Sequence, residues 1–304
     1  MRLRKTLIAV IFAATALMTA GAYAQRVQEW DETFEARERV RINTISGDVE
    51  IVKGGADKIL VHIRSSYRPA DSFEPKMRER RNAVYLEEEM YGSNRGNAVW
   101  TITVPEGTII DFKTASGDMR IADMKGAFSA SSASGDFYIE KCSGEFDFNT
   151  ASGDIELVNC TGYFDASTAS GDIDIDDCQG EFDVNTASGD VEGIEVTFTD
   201  ESRFNTASGS VEIVLAQTVE HDLEISTASG RVILDYNGHP MKGHYEFISK
   251  HRNGRVSAPF DFDEEHVERF RRWGDRYVRQ TYTKDSDTPY IELSTASGKV
   301  SLHE

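Results

Sequence analysis

An aspartate stands directly after a glycine at Asp48, Asp118, Asp136, Asp154, Asp172 and Asp190, and from Asp118 to Asp190 these residues recur every 18 positions. A second acidic column runs Asp147, Asp165, Asp183. Carboxylates stacked one strand apart repel each other, so a bound cation would relieve them, and Ca²⁺ is the oxygen-seeking cation outside the cytoplasm. Asp118, Asp136, Asp154, Asp172 and Asp190 are therefore the candidate calcium ladder. The competing reading is that an Asp beside a Gly turn accepts hydrogen bonds from backbone N–H groups. That reading gains weight because the Gly-Gly-x-Gly-x-Asp repeat of calcium-binding rolls does not occur, and Ca²⁺ wants about six to eight oxygens in one place. No other cofactor is implied.

The three cysteines, Cys142, Cys160 and Cys178, also fall 18 apart, in a column continued by Met124 before them and Val196 after. Adjacent rungs would lie within disulfide range in an oxidising compartment, giving one bridge and one free thiol. The odd count and the apolar neighbours favour reduced thiols that pack as small hydrophobes. The seven histidines, at 62, 221, 239, 244, 251, 266 and 303, form no His-Glu-x-x-His pair, and the chain has neither a Gly-x-Ser-x-Gly elbow nor a phosphate loop. Acid pairs of the glycosidase kind carry no signal where Asp and Glu are everywhere. The expected catalytic set is empty.

What positions these columns is a repeat. Thr-Ala-Ser-Gly occurs at Thr114, Thr150, Thr168, Thr186, Thr206, Thr227 and Thr295, with Ser-Ala-Ser-Gly at Ser132 and a relative, Thr-Ile-Ser-Gly, at Thr44. Before the turn the apolar residues alternate with polar ones, as in Phe128, Phe146, Phe164 and Phe182; after it they do so again, as in Ile155, Ile173 and Val191. Period two on both sides of a Gly turn means two strands with one buried face, and excludes amphipathic helices over 110–234. A second glycine, at Gly126, Gly144, Gly162 and Gly180, closes the coil. Two short strands and two turns use up 18 residues, so equivalent strands must pair in parallel. The fold class is all-β: a single-chain parallel β-helix or β-solenoid whose core includes Phe128, Phe146, Phe164, Phe182, Ile155, Ile173, Val191, Cys142, Cys160 and Cys178. Simple parity puts Thr and the Ser two later inside; a bulge before the turn would put Ala inside instead.

Around the regular coils, 110–236, the pattern loosens. Residues 25–109 read as an N-terminal β cap continuous with the solenoid, with strands at Lys58 to Ile63, Ala83 to Glu87 and Ala98 to Val104, and a loop or short helix from Pro69 to Arg81; an independent ligand-binding lobe is the alternative. Residues 237–304 read as a degenerate coil (Phe247, Ser249, then His251 to Val256), a helical excursion over 263–280 and a final coil. Asp263 to Trp273 has an acidic first turn, a basic last turn and apolar Val267 and Phe270 three apart, which predicts the helix. Its arginines, 269, 271, 272, 276 and 279, would pair with repeat carboxylates, or else contact a partner or lipid headgroups.

Residues 1–24 read as a signal peptide: basic Arg2, Arg4 and Lys5, an apolar run from Leu7 to Met18, and the cleavage site Ala22-Tyr23-Ala24. The apolar run is too short for a membrane span, and nothing later resembles one. Losing the three basic residues takes the net charge from −19 to −22. That field disfavours nucleic acid and anionic lipid and favours cations or cationic partners, besides serving solubility.

The element Val-x-Ile-Asn-Thr-Ile-Ser-Gly-Asp-Val-Glu-Ile near the N-terminus, the Val-Pro-Glu-Gly-Thr step from Val104 to Thr108 and the serial Thr-Ala-Ser-Gly-Asp coils together resemble the bacterial β-strand-repeat proteins of unknown function known as "putative adhesins". The resemblance covers about residues 40 to 302; the Arg-rich segment 263–280 stands outside its pattern. It implies an exported β-solenoid of the cell envelope, periplasmic or at the surface, sometimes associated with envelope-stress systems, and it brings no catalytic residues. The functional expectation is a non-enzymatic envelope protein that presents an acidic rod to a glycan, peptide or protein partner. The alternatives are a carbohydrate-active β-helix enzyme such as a polysaccharide lyase, and a purely structural spacer.

Overall fold

The computed structural model describes residues 27–250, 255–269 and 276–304; the expected signal peptide, residues 251–254 of the expected degenerate coil and the middle of the expected helix, 270–275, lie outside them. The described residues form 27 strands in one continuous hydrogen-bonded system, and a single 3₁₀ turn, Ala70–Ser72, is the one helical element among them. Each regular coil contributes one strand to a first ladder, such as Ser143–Thr150, and one to a second, such as Ile155–Val158. Strands 18 residues apart pair in parallel, so that Phe146 faces Phe128 and Phe164, and Ile155 faces Phe137 and Ile173. The fold is an all-β solenoid. Among the described residues no helix is long and apolar enough to cross a membrane.

Like side chains therefore meet inside. The rings of Phe146, Phe164 and Phe182 stack at 4.7 Å with interplanar angles of 4° and 8°. Phe128, Ile155, Ile173 and Val191 share that dry interior, and the three cysteines line one corner of it. The turn resolves the open question of parity: Thr points inward and is buried at Thr150, Thr168 and Thr186, while the Ala and Ser that follow are exposed. The chain turns its corner immediately after Thr, so neither strict alternation nor an inward Ala applies. Each Thr hydroxyl accepts a hydrogen bond from its own turn's glycine N–H, as Gly153 N donates to Thr150 Oγ1 at 3.0 Å, and donates to the glycine carbonyl of the coil before, as Thr168 Oγ1 does to Gly153 at 3.2 Å. The second corner uses a residue in the left-handed region, Asp123, Lys141, Asn159, Asp177 or Glu195, with φ between 49° and 56°.

Coils do not stack in chain order at either end. Strand Arg39–Asn43 sits between Ala83–Met90 and Ile109–Lys113, and Asp48–Lys53 sits between Ala98–Val104 and Met119–Ala122. At the far end the coil made by Tyr290–Thr295 and Lys299–His303 is inserted between Leu223–Thr227 with Val232–Asp235 on one side and Gly243–Lys250 with Arg255–Ser257 on the other. The residues of the degenerate coil keep the expected columns, Phe247 opposite Leu293 and Ser249 opposite Thr295, but they stack on the chain's last coil and not on the one that precedes them.

Two segments expected as a loop or short helix and as a helix form strands instead over most of their described residues. After its 3₁₀ turn, the stretch from Pro69 to Arg81 continues as strand Phe73–Arg80, antiparallel to Ala83–Met90. The expected helix over 263–280 is instead an antiparallel pair, Glu264–Arg269 against Arg276–Lys284, and the second of these also pairs with Gly243–Lys250. The open edge of Gly243–Lys250 offers a full row of backbone partners to the β-branched and aromatic run from Tyr277 to Thr283, and that gain overrides a charge pattern worth only a few tenths of a kcal/mol per pair in a helix.

The N-terminal end is closed by one buried side chain. Glu88 Oε2 accepts hydrogen bonds from the backbone N–H groups of Ile45, Ser46 and Gly47 at 2.7, 3.2 and 3.3 Å, while Oε1 accepts from Trp100 Nε1 at 2.9 Å. In the neighbouring coil the equivalent amides of Ala115 and Ser116 bond to the carbonyl of Ile45. A carboxylate thus stands in for the carbonyl of a turn that the adjacent coil lacks.

Candidate functional site

The glycine-linked aspartates form a ladder along one corner of the rod. Oδ1 of each accepts a hydrogen bond from the backbone N–H of the next coil: Asp48 from Asp118 (3.1 Å), Asp118 from Asp136 (3.0 Å), Asp136 from Asp154 (2.9 Å), Asp154 from Asp172 (2.8 Å), Asp172 from Asp190 (2.8 Å) and Asp190 from Ser210 (2.6 Å). These carboxylates tie coil to coil. Among the described residues no group of three or more His, Cys, Asp or Glu side chains could hold a metal ion.

Cys142, Cys160 and Cys178 are free and buried. The N–H of Cys142 donates to Cys160 Sγ at 3.5 Å and that of Cys160 to Cys178 Sγ at 3.3 Å, while each thiol bonds to the carbonyl two residues before it. A shared hydrogen bond with Cys160 and burial push the Cys142 and Cys178 thiols well above the usual range. The same hydrogen bonds, shared with Cys142 and Cys178, pull Cys160 the other way, so Cys142 and Cys178 are protonated and poor nucleophiles, while burial closes the Cys160 sulfur off from solvent. Glu88 is equally committed, since four N–H donors occupy its two oxygens and leave it none for the nearby Ser46 hydroxyl, which bonds to Tyr67 at 2.6 Å.

The chemistry that faces solvent lies on the flank of the first ladder. Asp147, Asp165 and Asp183 stand in register on successive strands. Burial, then the charges of Asp183 and Asp147, push the carboxyl of Asp165 above the usual range. A carboxyl raised in the folded chain costs nothing where both states are protonated, and becomes destabilising as pH rises from the unfolded value of about 3.9 through the raised one. Asp165→Asn is therefore expected to raise the melting temperature at pH 7 and to leave it unchanged near pH 3, read as melts across that range; a variant that is no more stable than the parent at pH 7 would contradict the repulsion. The second flank repeats the theme: burial and Glu192 push Asp174 up.

Toward the C-terminal hairpin the column continues as Glu224, Glu292 and Glu246. Burial, then Glu224 and Glu246, raise Glu292, while Arg279 lowers it. Arg279 Nε lies 3.0 Å from Glu246 Oε1, which bears out pairing with a repeat carboxylate for that arginine.

Toward the N-terminal end the sign inverts. Arg78, Tyr85 and Arg41 stand opposite one another on three adjacent strands, with Asp111 on the fourth. The guanidinium carbons of Arg41 and Arg78 lie 5.6 and 5.7 Å from the Tyr85 ring centre. Arg39 Nη1 bonds to both oxygens of Asp111, at 2.9 and 2.7 Å, and Arg41 Nε reaches the same carboxylate at 3.2 Å. Arg80, at the end of its strand, and Arg81, in the hairpin turn that follows, are exposed and make no ion pair among the described residues. Arg39, Arg41, Arg80 and Arg81 line a groove of about 650 Å³ with Glu38 and Asn82 on its rim, and a second of about 470 Å³, lined by Arg78, adjoins it through Arg41 and Tyr85 and reaches Asn43 and Ser129. Sequence reasoning passed over this groove. The signal was present as Arg39-x-Arg41 and Arg78-x-Arg80, spacings that place both members on one strand face once 73–80 is recognised as a strand.

The model of the Toastrack DUF4097 family matches residues 37–256. The chain belongs to this family. The Toastrack match runs from the strand that carries Arg39 and Arg41 to the coil that carries Val256, so the groove and the aspartates Asp147, Asp165 and Asp183 lie within it. No curated protein matches the chain. Among solved structures it is similar to a "putative cell adhesion protein" from Clostridium sporogenes ATCC 15579 (12% identity, 91% of this chain and 99% of that one, TM-score 0.24). It is also similar to a "putative adhesin" from Bacteroides fragilis NCTC 9343 (10%, 92% and 97%, 0.43) and to one from Parabacteroides distasonis ATCC 8503 (8%, 91% and 97%, 0.47).

Proposed function

We propose that this Toastrack protein is exported to the cell envelope and works there as a non-enzymatic binding rod of the adhesion type. The observation that carries this reading is the outward flank of the first ladder. It is an open, fixed surface of in-register side chains whose charge runs from the arginine groove at Arg39 and Arg41 through the acidic column at Asp147, Asp165 and Asp183. Strands hydrogen-bonded on both sides hold such side chains rigidly, so little freedom is lost when a ligand docks. The carboxylates raised here, Asp165 and Asp174, owe their shifts to burial and to neighbours in their own columns, as expected of a repeated surface.

The test is retention on an array of envelope components, including peptidoglycan fragments, acidic and neutral polysaccharides and cationic peptides. The full chain is expected to retain at least one of them and to return it chemically intact. Release of sugar products that stops on Asp165→Asn would establish a carbohydrate-active enzyme instead, and retention of nothing would leave a structural spacer.

A further inference from the structure

We infer that the arginine groove at the N-terminal end of the rod binds a short acidic saccharide, with the carboxylate or phosphate groups of the sugar held by Arg39, Arg80 and Arg81. This rests on the binding reading above and names the ligand class of one part of the surface.

The groove is built for an oxyanion. Arg39 Nη1 already holds both oxygens of the Asp111 carboxylate, a charge-assisted contact of the kind by which guanidinium recognises carboxylate and phosphate. Tyr85 lies between Arg41 and Arg78 in the cross-strand row and fixes both by cation–π contact, so these groups are positioned before any ligand arrives. The carboxylates facing the groove are Glu38, which accepts a hydrogen bond from Asn82 at 2.7 Å, Asp111, shared by two arginines, and Glu87, which pairs with Arg78. Arg80 and Arg81 are left with no counter-charge among the described residues. Arg81 moreover holds φ at 49°, a left-handed conformation that is strained for an ordinary residue. On a chain of net charge −19 this concentration of cations is local.

The surroundings define the rest of the ligand. A groove of about 650 Å³ is of the size that encloses a small ligand and not a bare ion, and its neighbour adds the polar side chains of Asn43 and Ser129, which suit hydroxyl groups. Beyond Ser129 the same row turns to Asp147, Asp165 and Asp183, which repel a long polyanion. A nucleic acid or an extended acidic polymer would have to cross that column. A short chain, or the end of a longer one, would not.

The experiment is calorimetric titration of the full chain at 20 mM salt with a tri-uronate, its methyl ester, a phosphorylated disaccharide and inorganic phosphate. Binding of the tri-uronate or the phosphorylated disaccharide, weakened at 300 mM salt, is the expected result, and the one that binds identifies the source of the oxyanion. If neither binds, if the ester binds equally well, or if inorganic phosphate competes with the affinity of the sugars, the inference is overturned. Arg80→Ser combined with Arg81→Asn should weaken binding at least tenfold. The fold should be as stable as before or more so, because Asn tolerates the left-handed conformation. Arg203→Ser, farther along the same flank, should change nothing. Equal affinity in the double variant, or an equal loss in Arg203→Ser, would place the ligand elsewhere. Retention on the array that survives the double variant would discard the groove while leaving the binding rod intact.

Discussion

Replacing Phe164 with Asp is expected to abolish cooperative unfolding of the rod at neutral pH. Phe164 is fully buried, and its ring lies 4.7 Å from those of Phe146 and Phe182. Truncating a phenylalanine in such a stack costs about 3–5 kcal/mol in transfer and cavity terms alone. Asp adds an unpaired carboxylate with nothing but rings and aliphatic side chains around it, a penalty of several kcal/mol more even after the group takes up a proton. A whole domain is stabilised by only about 5–15 kcal/mol, and a solenoid transmits stability only between neighbouring coils. A defect in the middle therefore cuts the stack into two short pieces, each with a newly exposed end. Far-ultraviolet circular dichroism melts check this. Tyr163→Ser, one residue away on the exposed face, should stay within about 0.5 kcal/mol of the parent. A Phe164→Asp melt that overlays the parent's would mean that the phenylalanine column faces water.

That column was legible because a side-chain period of two and a coil period of 18 are both written in residue type. Wherever Phe, Ile or Val recurs in phase, parallel stacking is the one arrangement that buries every copy at once. The same logic placed Phe247, Ser249 and Val256 in the right columns although their turn departs from the repeat. What the pattern does not encode is which coil touches which. Thr44 and Thr114 are 70 residues apart yet their hydroxyls meet at 2.9 Å, and Thr227 pairs with Thr295 across 68 residues. Any coil fits any other, because all expose the same columns, and the order is decided at the ends by elements with no repeat in them, such as Glu88, whose carboxylate fits only against the turn at Ile45 to Gly47. The segment 263–280 was misread for a related reason: its charge pattern favours a helix in isolation, but an unpaired strand edge is on offer. Net charge, in turn, is silent on distribution: within an overall value of −19 the fold gathers Arg39, Arg41, Arg80 and Arg81 into one groove, with Arg78 lining its neighbour.

Gly171→Ala should cost more than its single methyl group suggests, about 4 kcal/mol or enough to prevent folding. The turn glycine is not needed here for a left-handed φ. A Cβ at Gly171 would lie 1.8 Å from the carbonyl oxygen of Gly153 and 2.6 Å from its carbon, in the coil directly below, with Asp154 Oδ1 at 3.0 Å. Backbone is what stands in the way, and it cannot retreat. The carbonyl of Gly153 accepts from Thr168 Oγ1, the amide of Gly171 donates to the same hydroxyl, and Asp154 Oδ1 holds the N–H of Asp172. Opening the spacing by more than an ångström to clear the methyl would break the two bonds that cross between coils, Thr168 Oγ1 to Gly153 and Asp172 N–H to Asp154, and loosen the aromatic stack beside them, which places the substitution in the far tail of single-residue effects. Two comparisons isolate the cause. Ser170→Ala, in the exposed half of the same turn, and Gly55→Ala, where an added Cβ meets nothing within 4 Å, should each stay within about 0.5 kcal/mol. Chemical denaturation of the three variants provides the measurement. A Gly171→Ala protein as stable as the other two would show that successive coils are not held in contact at their turns, and the vertical ladders of Thr and Asp would then lose their geometric basis.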